Sequence, residues 1–225
     1  MARRWTNEQS VGSVCINEVM DNLNTYFEKG LSYADYRQLI ATRLKQKRST
    51  APADSDNEYL IRYSRRNQRL MKKLEGSIEL PSDLRDLLHD WQKPMRWLVL
   101  TEGWCPDAGN LLPYVEAIVS EVPAIETRYV LRDEHPELMD RYTTRGARAI
   151  PKLVAFEPET GEVLFTWGPR PEPAQAIIIA AKAHDTEKSV TSERINNWYE
   201  TDRGQTLLEE FRELLTRMQL IFSGK

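Results

Sequence analysis

Cysteine is scarce: two residues, Cys15 and Cys105, occur among 225, too few for a disulfide framework and too few to build a zinc site alone. No metal and no cofactor is therefore expected, and any cysteine chemistry is local. Long apolar runs are also missing. The longest is six residues, Ala176 to Ala181, against the roughly 18 to 20 needed to span a bilayer, so neither a membrane-spanning helix nor a membrane partner is expected. Arg3 and Arg4 near the start have no apolar stretch behind them, so the opening does not read as a secretory signal, and the cytoplasm is the expected compartment. With 10 Gly, 12 Pro and 40% hydrophobic residues, the composition excludes a collagen-like or wholly disordered chain. The length fits one enlarged domain or two small ones.

Charge is present in both signs but divided unevenly. Residues 1 to 96 hold 17 basic and 13 acidic side chains, whereas residues 97 to 225 hold 14 and 21. The two parts differ in sign, which allows mutual docking but is also within ordinary compositional variation.

The first part reads as successive helices. Thr6-x-x-Gln9 is a capping box, and Val11, Val14, Cys15, Val19, Leu23, Tyr26 and Phe27 recur at spacings of three and four, ending near Gly30; this places Cys15 on a buried stripe. Ser32-x-x-Asp35 opens a second helix, to about Lys47. The stretch from Lys47 to Asn57, rich in Ser, Thr, Pro and Asp, reads as a linker. A third helix follows from about Glu58 to Leu74, and a fourth from about Asp83 to Trp91 after Gly76 and Pro81. On the third, Arg62, Arg65, Arg66, Arg69, Lys72 and Lys73 fall in one sector opposite Leu60, Met71 and Leu74. In an acidic chain without a recognisable nucleic-acid motif this stripe reads as a solvated face, and nucleic acid is not expected as a partner.

After residue 95 the pattern changes to short strands alternating with helices. Trp97 to Thr101 reads as a buried strand, Asp107 to Val122 as a helix, Ile125 to Leu131 as a strand, and Pro136 to Thr143 as a short helix. Lys152 to Glu157 and Glu162 to Trp167 flank Pro158-Glu159-Thr160-Gly161 and read as a hairpin. Helices follow at Ala174 to His184, Ser192 to Tyr199 and Gln205 to Phe222. The order βαβαββα implies an α/β fold with a partly parallel sheet.

Cys105 lies in Glu102-Gly103-Trp104-Cys105-Pro106-Asp107-Ala108, between a strand and the start of a helix. Unsatisfied amides and the positive end of a helix dipole favour an anion there, so a thiolate with a lowered pKa is expected; the simpler reading is a small buried apolar residue. Asp107, in the first helical turn, reads as a dipole-matching cap rather than a base. Other charged groups gather at the carboxyl ends of the strands: Arg132, Asp133, Lys152 and Arg170 offer charge to a thiolate or an anionic ligand, or else form structural pairs worth under about 1 kcal/mol at the surface. Trp104 offers a flat apolar surface to a peptide or small thiol.

Strand, Trp-Cys-x-x, helix, strand, helix and then Ile150-Pro151 before a hairpin resembles the thioredoxin superfamily over residues 97 to about 186. The longer patterns TEGWCPDA, VLRDE, RAIPKL and WGPRP look like a bacterial group known simply as thioredoxin family proteins. The opening of the second helix at Ser32-Tyr33-x-x-Tyr36 and the Asn67-x-Arg69-x-Met71-x-x-Leu74 pattern of the third are similar to its helical extension. The resemblance implies a thioredoxin-like fold, with a helical N-terminal extension over 1–95, a thioredoxin-like domain over 96–186 and a C-terminal helical segment over 187–225. It implies that Cys105 is the exposed nucleophile and that Pro151 is the cis-proline facing it across the substrate groove; Trp104, Pro106, Ile150, Pro151 and Arg170 are the candidate substrate-binding residues, with Glu102, Asp107, Arg132, Asp133 and Lys152 as candidate support. Two departures stand out. Ala108 replaces the second cysteine of the family's CxxC motif, and Val99 stands where thioredoxins carry a buried Asp.

The expected activity is therefore single-thiol exchange: Cys105 forms mixed disulfides with protein or small-molecule thiols, resolved by an outside thiol. A non-catalytic module binding peptides or proteins is the alternative, and peroxide reduction through a sulfenic acid is a third reading.

Overall fold

The structure, a computed structural model, describes residues 23–224; the capping box at Thr6 and the Cys15 stripe expected before residue 23 lie outside the described residues. The helices are α1 (23–29), α2 (Tyr33–Lys45), α3 (Glu58–Glu75), α4 (Ser82–His89), α5 (Pro106–Ser120), α6 (Pro136–Arg141), α7 (Glu172–Ala183), α8 (Lys188–Asp202) and α9 (Gln205–Phe222). The strands are β1 (Met95–Thr101), β2 (Ile125–Leu131), β3 (Lys152–Phe156) and β4 (Val163–Trp167). Local chemistry sets these bounds. Ser32 caps α2 by accepting from the amide of Asp35, and the Asn57 side chain caps α3 by accepting from Tyr59 and Leu60. Gly76 ends α3. The segment expected at Ser192 to Tyr199 is longer at both ends, Lys188–Asp202.

The sheet runs β2-β1-β3-β4, with β1 parallel to β2 and antiparallel to β3, and β3 antiparallel to β4. Helix α5 makes the crossover that a parallel pair requires. The chain is thus α/β with a thioredoxin-like core and added helices at both ends. One face of the sheet is covered by α5, where Glu116 accepts hydrogen bonds from Thr127 and Tyr129 (2.8 and 2.6 Å), and by α9, where Phe211 packs on Trp97 and Trp167 (centroids 5.3 and 5.1 Å). On the other face Phe27 meets Phe156 edge-on, with the guanidiniums of Arg96 and Arg128 over its ring. Leu31 extends the β2 edge through paired backbone bonds to Tyr129, both 2.8 Å. Gly204 starts α9 at a positive φ of 79°, and a Cβ there would sit 2.3 Å from the Tyr114 ring. Only glycine fits that junction.

The expected linker at Lys47 to Asn57 is corrected. Ser49, Thr50 and Ala51 are buried, and Asp56 folds back to accept from the Ser49 amide and hydroxyl. The polar residues satisfy the segment's own backbone and that of the neighbouring loop, so polarity here marks a packed turn. One hydrophobic core takes in Leu23 and Tyr36, the sheet, and Leu207 to Met218.

Candidate functional site

Strand β1 ends at Thr101 and the chain turns through Glu102 to Trp104, placing Cys105 at the N-cap of α5 with Pro106 at the first helical positions. Pro is suited to that place because its missing amide would have no helical partner. The amides of Asp107 and Ala108 point at the sulfur. Across from it the Ile150–Pro151 peptide is cis, and the Cys105 thiol donates to the Ile150 carbonyl at 3.3 Å.

The enclosure of this sulfur reverses the expectation of a thiolate. Cys105 is 4% exposed; burial, reinforced by the negative charge of Asp107, pushes its thiol up to about 12, against the opposing pull of the two amides and Arg170. Desolvation outweighs the helix N-terminus because a buried sulfur loses most of the stabilisation that water gives the anion. Cys105 is the free cysteine among the described residues, and the neighbouring Ala108 is buried and carries no thiol.

Asp107 does not cap α5 through its side chain. It is buried and held bidentately by Arg170, with Nη2–Oδ2 at 2.6 Å and Nε–Oδ1 at 2.9 Å, and it accepts from the Tyr199 hydroxyl at 2.7 Å. Burial raises its carboxyl above the ordinary range while Arg170 and Tyr199 pull the other way. Arg170 also donates to Gln175 at 3.1 Å, so its charge is committed to the pair rather than offered to a groove. Helix α8 thereby closes the start of α5.

The remaining expected residues separate. Glu102 is fully buried; its carboxylate accepts from the Thr50 hydroxyl and, at 3.1 Å, from the Asp133 amide, and burial pushes it up to about 7 despite those bonds. Arg132 pairs with Asp133 at 2.7 Å and lies over the Trp104 ring at 4.9 Å, the structural pairing rather than a contact to the thiol. Lys152 is buried in β3, donates to Thr144 at 3.4 Å, and has its ammonium lowered by desolvation; it is not paired with the sulfur. The structure therefore brings together Cys105, Asp107, Ile150, Pro151 and Arg170, and leaves Lys152 and Arg132 outside.

Two further residues, outside those expected from the sequence, complete the site. Asn67 of α3 donates to the carbonyls of Gly103 (3.0 Å) and Cys105 (2.9 Å). Its signal was a polar side chain at the same helical face as Ile61, Ser64 and Met71. Tyr199 had no local signal. Among the described residues no cluster of His, Cys, Asp and Glu could hold a metal ion, and no helix is long and apolar enough to cross a membrane.

A parallel-antiparallel sheet with a cysteine at the first crossover helix and a cis-proline loop against it defines the thioredoxin class. The family model described as Thioredoxin matches residues 53–188, more than half of the chain, and the chain belongs to that family. The match takes in α3 and α4 and stops where α8 begins. No curated protein matches. Among solved structures, a protein of unknown function from Pseudomonas aeruginosa is 21% identical over 80% of this chain and 95% of its own, with a TM-score of 0.49. A crystallised HIV epitope scaffold is 20% identical over 93% of this chain and 98% of its own, with a TM-score of 0.50; at that identity the likeness concerns the fold alone.

Proposed function

We propose that this chain is a thioredoxin-fold binding module in which Cys105 rests as a closed, protonated thiol and does not turn over. The observation that carries this reading is the burial of Cys105, whose thiol donates a hydrogen bond to the Ile150 carbonyl, next to an Asp107 that is itself buried and held by Arg170 and Tyr199. A thiol near 12 is about 10⁻⁵ thiolate at pH 7, against a few per cent for a free cysteine near 8.5. Thiolate is the nucleophile in exchange, so the resting site lacks the reactive species by about three orders of magnitude. Ala108 removes the second thiol that would release a mixed disulfide.

Single-thiol exchange at Cys105 is the second reading. It is favoured by one feature: the Asp107 and Ala108 amides aim at the sulfur, a geometry that stabilises a thiolate once the site opens.

Alkylation of the native protein, followed by intact mass from about pH 7 to 10, separates the two. The binding-module reading expects Cys105 to react far more slowly than free cysteine across that range and to form no mixed disulfide with a small-molecule disulfide. Rapid modification at neutral pH, lost in Cys105→Ser, overturns it in favour of exchange.

A further inference from the structure

Helices α2 and α3 form an antiparallel pair, tied by Arg37 to Gln68 and by Tyr33 to Glu75. Residues 33–75 hold 11 basic and 5 acidic side chains, a net +6 in a chain whose total is −3. Positive charge is thus gathered on one part of an acidic protein. Within it, Arg62, Arg65, Arg66, Arg69, Lys72 and Lys73 are all exposed, on the side of α3 opposite its buried Ile61, Ser64, Asn67 and Met71. No Asp or Glu occurs between Glu58 and Glu75. An ordinary solvated helix face intersperses signs so that i, i+4 pairs attract; here 62–66, 65–69 and 69–73 repel. The charged side chains of Arg65, Arg69, Lys72 and Lys73 make no hydrogen bond or ion pair to any described residue, while Arg66 reaches only the neutral Asn196 at 3.0 Å. Like charges held in line and unneutralised over about 16 Å of helix call for a polyanion.

The N-terminal end of the stripe is aromatic. Tyr59 is 55% exposed, packs on Tyr63 at 4.7 Å, and carries the Arg62 guanidinium over its ring at 5.5 Å. Four of the six cations are Arg, whose planar fork matches phosphate oxygens in pairs. Cations in line beside a stacking ring are the two elements by which single strands are held without sequence preference. A membrane fits less well: the apolar side of α3 is spent on the protein core, and Tyr59 is the one exposed large apolar side chain near the stripe. We propose that the outer face of the α2–α3 pair is a docking surface for single-stranded nucleic acid, phosphates along the stripe and a base on Tyr59. This rests on the binding-module reading above and names its partner class.

The test is fluorescence anisotropy of the full chain with a labelled single-stranded oligonucleotide of about 20 nucleotides, between about 50 and 200 mM salt. Six neutralised phosphates give a slope of log affinity against log salt of about −4. Arg65→Ala/Arg69→Ala/Lys72→Ala, all exposed and unpaired positions, should keep the far-ultraviolet spectrum and bring the slope to about −2. Tyr59→Ala should weaken binding roughly ten-fold with the slope unchanged. Absence of binding at low salt overturns the proposal, as does a slope that the triple substitution leaves unaltered. Equal competition by polyglutamate, or tighter binding to phosphatidylserine vesicles than to the oligonucleotide, also overturns it. Cys105 alkylation on the same samples reads the thiol separately: fast modification together with salt-dependent nucleic-acid binding removes the non-catalytic reading and leaves this surface standing.

Discussion

Asn67 holds Cys105 from behind: its side-chain amide spans the carbonyls of Gly103 and Cys105 at 3.0 and 2.9 Å. The grip is close because Gly109 of α5 has no Cβ; one built there would lie 2.8 Å from the Asn67 carboxamide. The third helix is thereby fastened to the cysteine loop rather than appended to it.

Replacing Asn67 with Ala takes the side-chain donor from the buried Gly103 carbonyl, leaves the Cys105 carbonyl with the Gly109 amide alone, and opens a small void. An unmade bond to a buried polar group costs about 1 to 3 kcal/mol, so Asn67→Ala should lose roughly that range. Urea unfolding should show a lower midpoint at unchanged slope. A change below about 0.5 kcal/mol would mean that the clasp does not hold the loop.

Asp107 is paired with Arg170 and also acts on the Cys105 sulfur. Its negative charge raises the thiol, so Asp107→Asn should lower the Cys105 pKa by at least about one unit, equivalent to ten-fold more thiolate below the new value. The pH profile of alkylation should move to lower pH, whereas Tyr199→Phe, which removes a hydrogen bond and no charge, should move it much less. Equal shifts in both variants would assign the effect to loosened packing.

Glu102 gives a pH dependence of known sign. Its carboxyl stands near 7 in the fold against an ordinary 4.5, so between those values the folded state binds more protons than the unfolded chain. The stability contribution is fully present below about pH 4.5 and is lost as pH rises through 7, by about 3 kcal/mol at most. Glu102→Gln mimics the protonated acid and should flatten that part of the stability curve. Equal slopes for the two proteins between pH 4.5 and 7 would show that this carboxyl titrates normally.

Phe211 is fully buried between Trp97 and Trp167. Phe211→Ala should cost about 3 to 5 kcal/mol, read as a lower thermal midpoint and a weaker near-ultraviolet tryptophan signal. An unchanged midpoint would mean that α9 adds little to the core.

Much of the fold was legible because its signals are local. The strand bounds Ile125–Leu131 and the helix Gln205–Phe222 follow from apolar periodicity, and the β3–β4 connection from Pro158 to Gly161, where Gly161 donates back to Glu157. The position of Cys105 at a strand-to-helix junction was legible for the same reason. Its electrostatic state was not. The helix N-terminus is a local feature and was read correctly as a pull toward the anion; the groups that override it, Asp107 clamped by Arg170 and Tyr199, meet only in three dimensions. The 47–57 segment failed similarly: Thr50 satisfies Glu102 and Gly103, partners some 50 residues away.

The packing of α9 on the sheet has a consequence for how the chain is made. Trp97 lies in the first strand and Phe211 in the last helix, so about half the chain is synthesised between them. During translation the Trp97 indole, already against Phe165, lacks its Phe211 contact until α9 leaves the ribosome. Contacts so distant along the chain slow folding, and apolar surface left open meanwhile invites association with other chains. A ribosome stalled before residue 205 should therefore carry a nascent chain that chaperones hold, and release of α9 should be the step that frees it.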